Sequence, residues 1–189
     1  MTSLTVPPPY FAAQTIRGTV YDLSHFNPFQ FLVESDKVPR PLKVNVRFST
    51  HCFTEGYDPT KHPINEPVIM DEGNRRRAFC SIRHNLSLQL PTLVNNLGAP
   101  GSIVYQAASK RNWVYSITLV DQSGSKYQVF FDFRRTAKGL RHLQDLDMFV
   151  ESAYSVPIVQ EEPNILGSVR FALLAGNTYI GKPVNTRKK

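Results

Sequence analysis

Cysteine is nearly absent from this chain of 189 residues, which holds only Cys52 and Cys80. Two lone thiols make no disulfide framework, and a chain this long can bury most of its unfolded surface without a covalent or metal staple. Long apolar runs are missing too. None approaches the ~20 residues that a membrane helix needs, and the opening Met1-Thr2-Ser3-Leu4-Thr5-Val6-Pro7-Pro8-Pro9 has neither the basic nor the apolar stretch of a signal peptide. The expectation is a cytoplasmic protein with reduced thiols and no membrane partner.

Absent motifs exclude further classes. There is no G-x-x-x-x-G-K-[ST] and no G-x-G-x-x-G, so ATP- or NAD-dependent chemistry has no support. H-E-x-x-H and G-x-S-x-G are missing as well. His51, Cys52, His62, Cys80 and His84 share one stretch, but no C-x2-C pair exists, and zinc needs closely spaced ligands converging on one point. Adjacent strand residues diverge, which argues against a His51–Cys52 nucleophile pair. Neither a metal nor a cofactor is expected, and the cysteines read as small buried hydrophobes.

Acidic side chains are the other scarcity: 15 against 22 Lys and Arg, a net charge of +7. That excess favours an anionic partner, nucleic acid (RNA favoured) or an acidic protein. The cations are mostly arginines, among them Arg47, Arg75, Arg76, Arg77, Arg83, Lys110, Arg111, Arg134, Arg135 and Arg141. Arginine suits bidentate phosphate contacts and stacking on bases. A solvated arginine-rich rim is the alternative reading.

What is present is a chain of loops around a phenylalanine-rich core, with fourteen prolines and twelve phenylalanines. Residues 15–21 read as a strand, 22–29 as a turn with apolar anchors and 38–41 as a break. Leu42, Val44, Val46 and Phe48 alternate with Lys43, Asn45, Arg47 and Ser49, a sheet strand with one wet face. Continuing that parity puts Cys52 toward the core and His51 on the wet side, in line with Arg47 and Ser49. Residues 55–77 read as a long loop ending in Arg75-Arg76-Arg77, and 78–82 as a short strand. Ser87 could cap a helix bearing Leu90, Leu93, Val94 and Leu97, with Pro91 in its first turn and Gly98 at its end.

Residues 113–119 and 127–133 alternate as a hairpin around the turn chemistry of 121–125. A last strand is predicted at 147–154, and Asn164 caps a predicted helix over 165–175, stopped by Gly176. The fold class is therefore α+β, an antiparallel sheet meander of about five to six strands with a central short helix and a C-terminal helix. Residues 1–14 read as an extended Pro-rich leader, 15–182 as a single domain and 183–189 as a basic tail.

The sharpest chemistry available is His51 beside arginine on an open sheet face. Imidazole passes protons near neutrality, and guanidinium stabilises the charge of a phosphorane-like transition state. Together they suffice for metal-independent RNA cleavage, in which the 2′-hydroxyl attacks the neighbouring phosphate. Glu151, Ser152 and Tyr154 offer a second proton-transfer or positioning group. Simple parity buries Ser152 and Tyr154 if Met148 and Val150 face the core, so they reach the site only if the strand bulges. Arg47, Arg77 and His84 are the expected substrate contacts. A structural histidine capping a strand end is the competing reading of His51.

Several segments look familiar together: Tyr21-Asp22-Leu23-Ser24-His25, Phe48-Ser49-Thr50-His51-Cys52-Phe53, Phe79-Cys80-Ser81-Ile82-Arg83, Leu86-Ser87-Leu88-Gln89-Leu90-Pro91 and Glu151-Ser152-Ala153-Tyr154. They resemble a family of uncharacterised bacterial proteins, often carried by prophages or mobile elements. More distantly, a helix followed by a meander ending in Ser-Ala-Tyr is similar to the barnase–EndoU–colicin–RelE type of ribonuclease fold. That resemblance implies metal-independent catalysis with His51 in proton transfer, Arg83 on phosphate, and Ser152 and Tyr154 on the last strand. His51 precedes the helix here, a departure from that pattern. Two functions are expected: a metal-independent ribonuclease, as a toxin or defence effector, or a non-catalytic protein that docks nucleic acid or an acidic partner.

Overall fold

The computed structural model describes residues 10–63, 66–108, 113–118, 126–156 and 164–187. The triple proline, Lys110, Arg111, the hairpin loop at 121–125 and the last two lysines lie outside the described residues.

The segment 15–21 is not one strand but a tight hairpin, β1 (Gln14–Ile16) and β2 (Thr19–Tyr21). It turns on Arg17 and Gly18, both at positive φ (51° and 80°), the backbone that a two-residue primed turn requires. Leu23 and Phe26 then anchor the following turn at full burial.

β3 (Phe29–Val33) and β4 (Leu42–Phe48) follow. The stretch that reads as loop contains three short strands, β5 (Thr54–Gly56), β6 (Val68–Met70) and β7 (Arg76–Phe79), joined as a small sheet in the order β5-β7-β6. Strands of three or four residues are too short to show alternation. β7 stops at Phe79, and Ser81 and Ile82 open α1 (Ser81–Ser87) instead of extending a strand. Ser87 ends this helix and caps nothing: its hydroxyl donates to the His84 carbonyl (2.7 Å). α2 (Leu90–Asn95) carries Pro91 in its first turn and runs into a 3-10 turn at Asn96–Gly98.

The meander is β8 (Ile103–Ala107), β9 (Trp113–Thr118), β10 (Lys126–Arg135) and β11 (Leu146–Val156), all antiparallel neighbours. Residues 165–170 form β12 (Ile165–Arg170) on the edge of β8, where a helix is predicted. α3 begins only at Phe171 (Phe171–Ile180). Pairing with β8 overrides local helix preference: Val169 joins the core there and Gly167 is closed over by Thr186 and Arg187. Gly176 lies inside α3, where a Cβ would sit 2.2 Å from Ser35 Oγ, and Gly181 at φ 72° closes the helix.

The chain is thus α+β with antiparallel sheets, short central helices and a C-terminal helix. The main sheet has seven strands in the order β12-β8-β9-β10-β11-β4-β3, and one of these pairings is parallel: β4 runs along β11, Val44 opposite Leu146 and Phe48 opposite Val150. The inward rows, Leu42 to Phe48 on β4 and Tyr127 to Phe133 on β10, pack against Leu90, Val94, Leu97, Phe171 and Leu174 in one core. Each fully buried phenylalanine or leucine there contributes about 2 kcal/mol by leaving water. Among the described residues no helix is long and apolar enough to cross a membrane.

Candidate functional site

The alternation of β4 ends at Phe48. The Ser49 N–H donates to the Val150 carbonyl (2.9 Å), its hydroxyl accepts the His51 N–H (3.1 Å), and a 3-10 turn follows at Thr50–Cys52. A serine side chain competing for the backbone has ended the strand. His51 therefore does not stand in line with Arg47, contrary to the parity expectation, and Ser49 is buried. Cys52 does face the core, fully buried, and its thiol is pushed up by desolvation.

The loop between β6 and β7 closes over this turn. The Asp71 side chain is inaccessible, and its Oδ1 accepts the N–H groups of Gly73 (2.9 Å) and Arg75 (2.8 Å). Its Oδ2 lies 2.9 Å from His51 Nε2 and accepts Arg75 Nε at 2.8 Å. Burial would raise this carboxyl, but the Arg75 N–H, the His51 ring, the Gly73 N–H and the Arg75 guanidinium outweigh it and hold the acid well below the usual carboxylate range. An ionised carboxylate only accepts, so Nε2 carries a proton, and in the neutral form of the ring the lone pair is on Nδ1. Nδ1 has no hydrogen-bond partner among the described residues, and the His51 side chain is 21% exposed. Arg75 Nη2 lies 3.4 Å from Nε2, a contact of two donors that sets a cation beside the ring. Glu72 steadies the turn, accepting the Thr50 N–H (3.0 Å) and the Ser49 hydroxyl (3.1 Å). Sequence reading missed both acids. The available signal was Asp-Glu-Gly-Asn, whose Asp71 caps a turn with Asn74 at φ 57°.

Two more guanidinium groups meet at Thr54. Arg83 Nη1 donates to the carbonyls of His51 (3.2 Å) and Thr54 (2.9 Å). Arg77 Nε donates to the Thr54 hydroxyl (2.7 Å) and Nη2 to its carbonyl (3.1 Å). Burial and repulsion by Arg83 lower the Arg77 pKa from the ordinary arginine value. Arg83 Cζ also sits 5.3 Å from the Tyr154 ring centre, and that ring stacks on Phe130 at 5.3 Å and 14°. Burial raises the Tyr154 phenol, with Arg83 opposing. Tyr154 gets there through a bulge: Phe131 pairs with Val150 but Phe130 with Ser152, leaving Glu151 as the extra residue. The bulge resets the parity, so Ala153 is buried while Ser152 and Tyr154 are half-buried.

Of the predicted residues, Arg83 reaches the His51 carbonyl, the Tyr154 ring and, with Arg77, Thr54, while Ser152 lies on the same bulged strand as Tyr154. Arg47 lies elsewhere. It projects from the outward face of β4 with Cζ 6.0 Å over the Phe149 ring, and it lines a hollow of about 560 Å³ with Asn45, Arg134 and Asp147. His84 is also apart: its buried ring packs on Tyr21, His25 and Phe79, with Nε2 3.1 Å from the Asp22 carbonyl. Among the described residues no three His, Cys, Asp or Glu side chains are grouped to hold a metal ion. A larger hollow, about 780 Å³, lies between residues 34–41, 98–101 and the start of α3, and contains none of these groups.

No solved structure matches this chain. It is 28% identical over 169 residues to protein YjaZ of Escherichia coli strain K12, a span covering 87% of this chain and 88% of that relative. The model of the YjaZ family matches residues 13–179, nearly every element described above, and the chain belongs to the YjaZ family.

Proposed function

We propose that the protein acts on RNA without a metal, with His51 as the proton-transfer residue. The observation that carries this reading is an imidazole held through Nε2 by the buried Asp71, its Nδ1 unpartnered among the described residues, with Arg75 beside the ring and Arg83 on the His51 carbonyl. Arg75, Arg77 and Arg83 gather around one turn against Asp71 and Glu72, an arrangement that favours an anion.

In this scheme Nδ1 removes the proton of a 2′-hydroxyl, the 2′-oxygen bonds to phosphorus, and the bond to the 5′-oxygen breaks. That oxygen takes a proton from the Tyr154 phenol, which burial keeps neutral, and solvent returns the proton from imidazolium to phenolate. A 2′,3′-cyclic phosphate and a 5′-hydroxyl result. Arg75, the most open of the three cations with 69% of its side chain exposed, meets the charge on the non-bridging oxygens.

Incubation with mixed RNA in EDTA tests the proposal. Cleavage leaving cyclic phosphate ends, and a drop of about 100-fold or more in His51→Ala, are expected. Intact RNA with the wild type, or equal cleavage by both proteins, ends it.

A second reading, non-catalytic docking of nucleic acid or an acidic protein, is favoured by the commitment of Arg77 and Arg83 to backbone carbonyls. It predicts binding that weakens steeply with salt and does not change in His51→Ala.

A further inference from the structure

Beyond β4's last turn, the outward face of the sheet carries a row of rings, of which the site above uses only Tyr154. Phe149 on β11 pairs across to Arg47 on β4 and to Asp132 on β10, so the three side chains share that face. One step along, Phe130 stands opposite Ser152, and beyond it Tyr154 stacks on Phe130. All three rings are half-buried where the inward rows are closed. A guanidinium stands at each end: Arg47 over Phe149 at 6.0 Å, Arg83 over Tyr154 at 5.3 Å. The last of these donates to the His51 carbonyl.

We propose that this face is a track for single-stranded RNA, running from Arg47 and Phe149 across Phe130 to Tyr154 and Arg83, which holds the His51 carbonyl. It rests on the reading of the His51 site as acting on RNA and supplies its substrate form. Ring faces bind any base that is not already stacked on its neighbours, whereas a duplex hides those faces. From Phe149 to Tyr154 the strand covers roughly 15 Å, room for about three bases. The face is not uniformly cationic. Asp147 lies on it with Oδ1 accepting Gln144 Nε2 (2.5 Å), and Asp132, opposite Phe149, stands 4.0 Å from Arg134, so the Arg47 end of the track is near neutral. Charge complementarity comes from the Tyr154 end, where Arg75, Arg77 and Arg83 cluster with Asp71 and Glu72, and from the net charge of +7. Stacking should therefore dominate along the rings, with phosphates drawn toward His51.

The test is fluorescence anisotropy in EDTA with labelled oligouridine of three, six and twelve nucleotides and a twelve-pair RNA duplex, using the His51→Ala chain so that nothing is cut. The twelve-mer and six-mer should bind alike and at least tenfold more tightly than the duplex. Phe149→Ala should weaken binding about tenfold while Phe149→Tyr, which keeps a ring face, restores it. Circular dichroism melts confirm that each variant is folded. No measurable binding, a duplex bound as well as the single strand, or Phe149→Ala and Arg47→Ala both binding like the parent would each overturn the track. Ring-dependent binding with no cleavage by the wild type would remove the catalytic reading and leave the track standing. Cleavage by the wild type that Phe149→Ala leaves unchanged at low substrate would do the reverse.

Discussion

At Asp71 a single carboxylate serves Gly73, Arg75 and His51, accepting two backbone N–H groups, a guanidinium and an imidazole. Removing it takes the common acceptor from all of those donors and leaves the loop and the His51 ring without their tie. Asp71→Ala should lower stability by about 2–3 kcal/mol, read as a lower urea midpoint. The same carboxyl is held below its ordinary range when folded, so its contribution is present above about pH 4 and is lost as pH falls through the depressed folded value. The acid limb of the stability curve should therefore flatten in that variant. The two thiols divide just as sharply. Cys52 is enclosed by the core with its pKa raised by burial, while Cys80 is partly accessible. Iodoacetamide on the native protein should label Cys80 first, with Cys52 reacting only after unfolding, as mass spectrometry of peptides would show.

Where elements meet, small features decide the fit. α1 is fastened to the turn after β2 by two imidazoles: His25 Nε2 lies 2.9 Å from Ser87 Oγ, and the His25 and His84 rings are 5.6 Å apart. Burial and then His84 lower the His25 pKa, with Asp22 opposing, so the folded chain resists a proton that the unfolded chain accepts. Stability should fall as pH drops through the ordinary imidazole value near 6.5, and thermal melts of His25→Gln between pH 8 and 5 should show a shallower decline. In α3, Gly176→Ala gains up to about 1 kcal/mol of helix propensity yet drives a methyl into Ser35 and the Lys37 stem. A net loss of stability is expected in thermal denaturation, and a gain would show that the turn after β3 yields easily.

The strands that could be read from sequence were those with one wet face. Leu42 to Phe48 and Tyr127 to Phe133 alternate because the core lies on one side and solvent on the other. β5 and β6 were illegible for want of length, β7 was read only at its end, within 78–82, and β12 was missed because its partner, not its composition, makes it a strand. At the site, residue types pointed to His51, Arg83 and Tyr154, but the route did not. A serine ends β4 and a bulge at Glu151 turns Tyr154, and neither event follows from a two-residue period. Asp71 stayed hidden because its role depends on a loop folding back across twenty positions.

For the molecule as a whole, the parallel seam between β4 and β11 joins positions about a hundred residues apart, from Val44–Leu146 to Phe48–Val150. During synthesis β4 leaves the ribosome with only β3 to hold it, and its second edge stays bare until the last third of the chain has emerged. Ribosome-arrested chains ending near residue 140 should therefore be cut by protease within the first half, and chains extended past β12 should resist. A shared seam of this kind ties the completion of the His51 turn, whose first N–H bonds to Val150, to the arrival of the final strands. A fragment ending before β11 lacks both the neighbour of β4 and the acceptor of the Ser49 N–H.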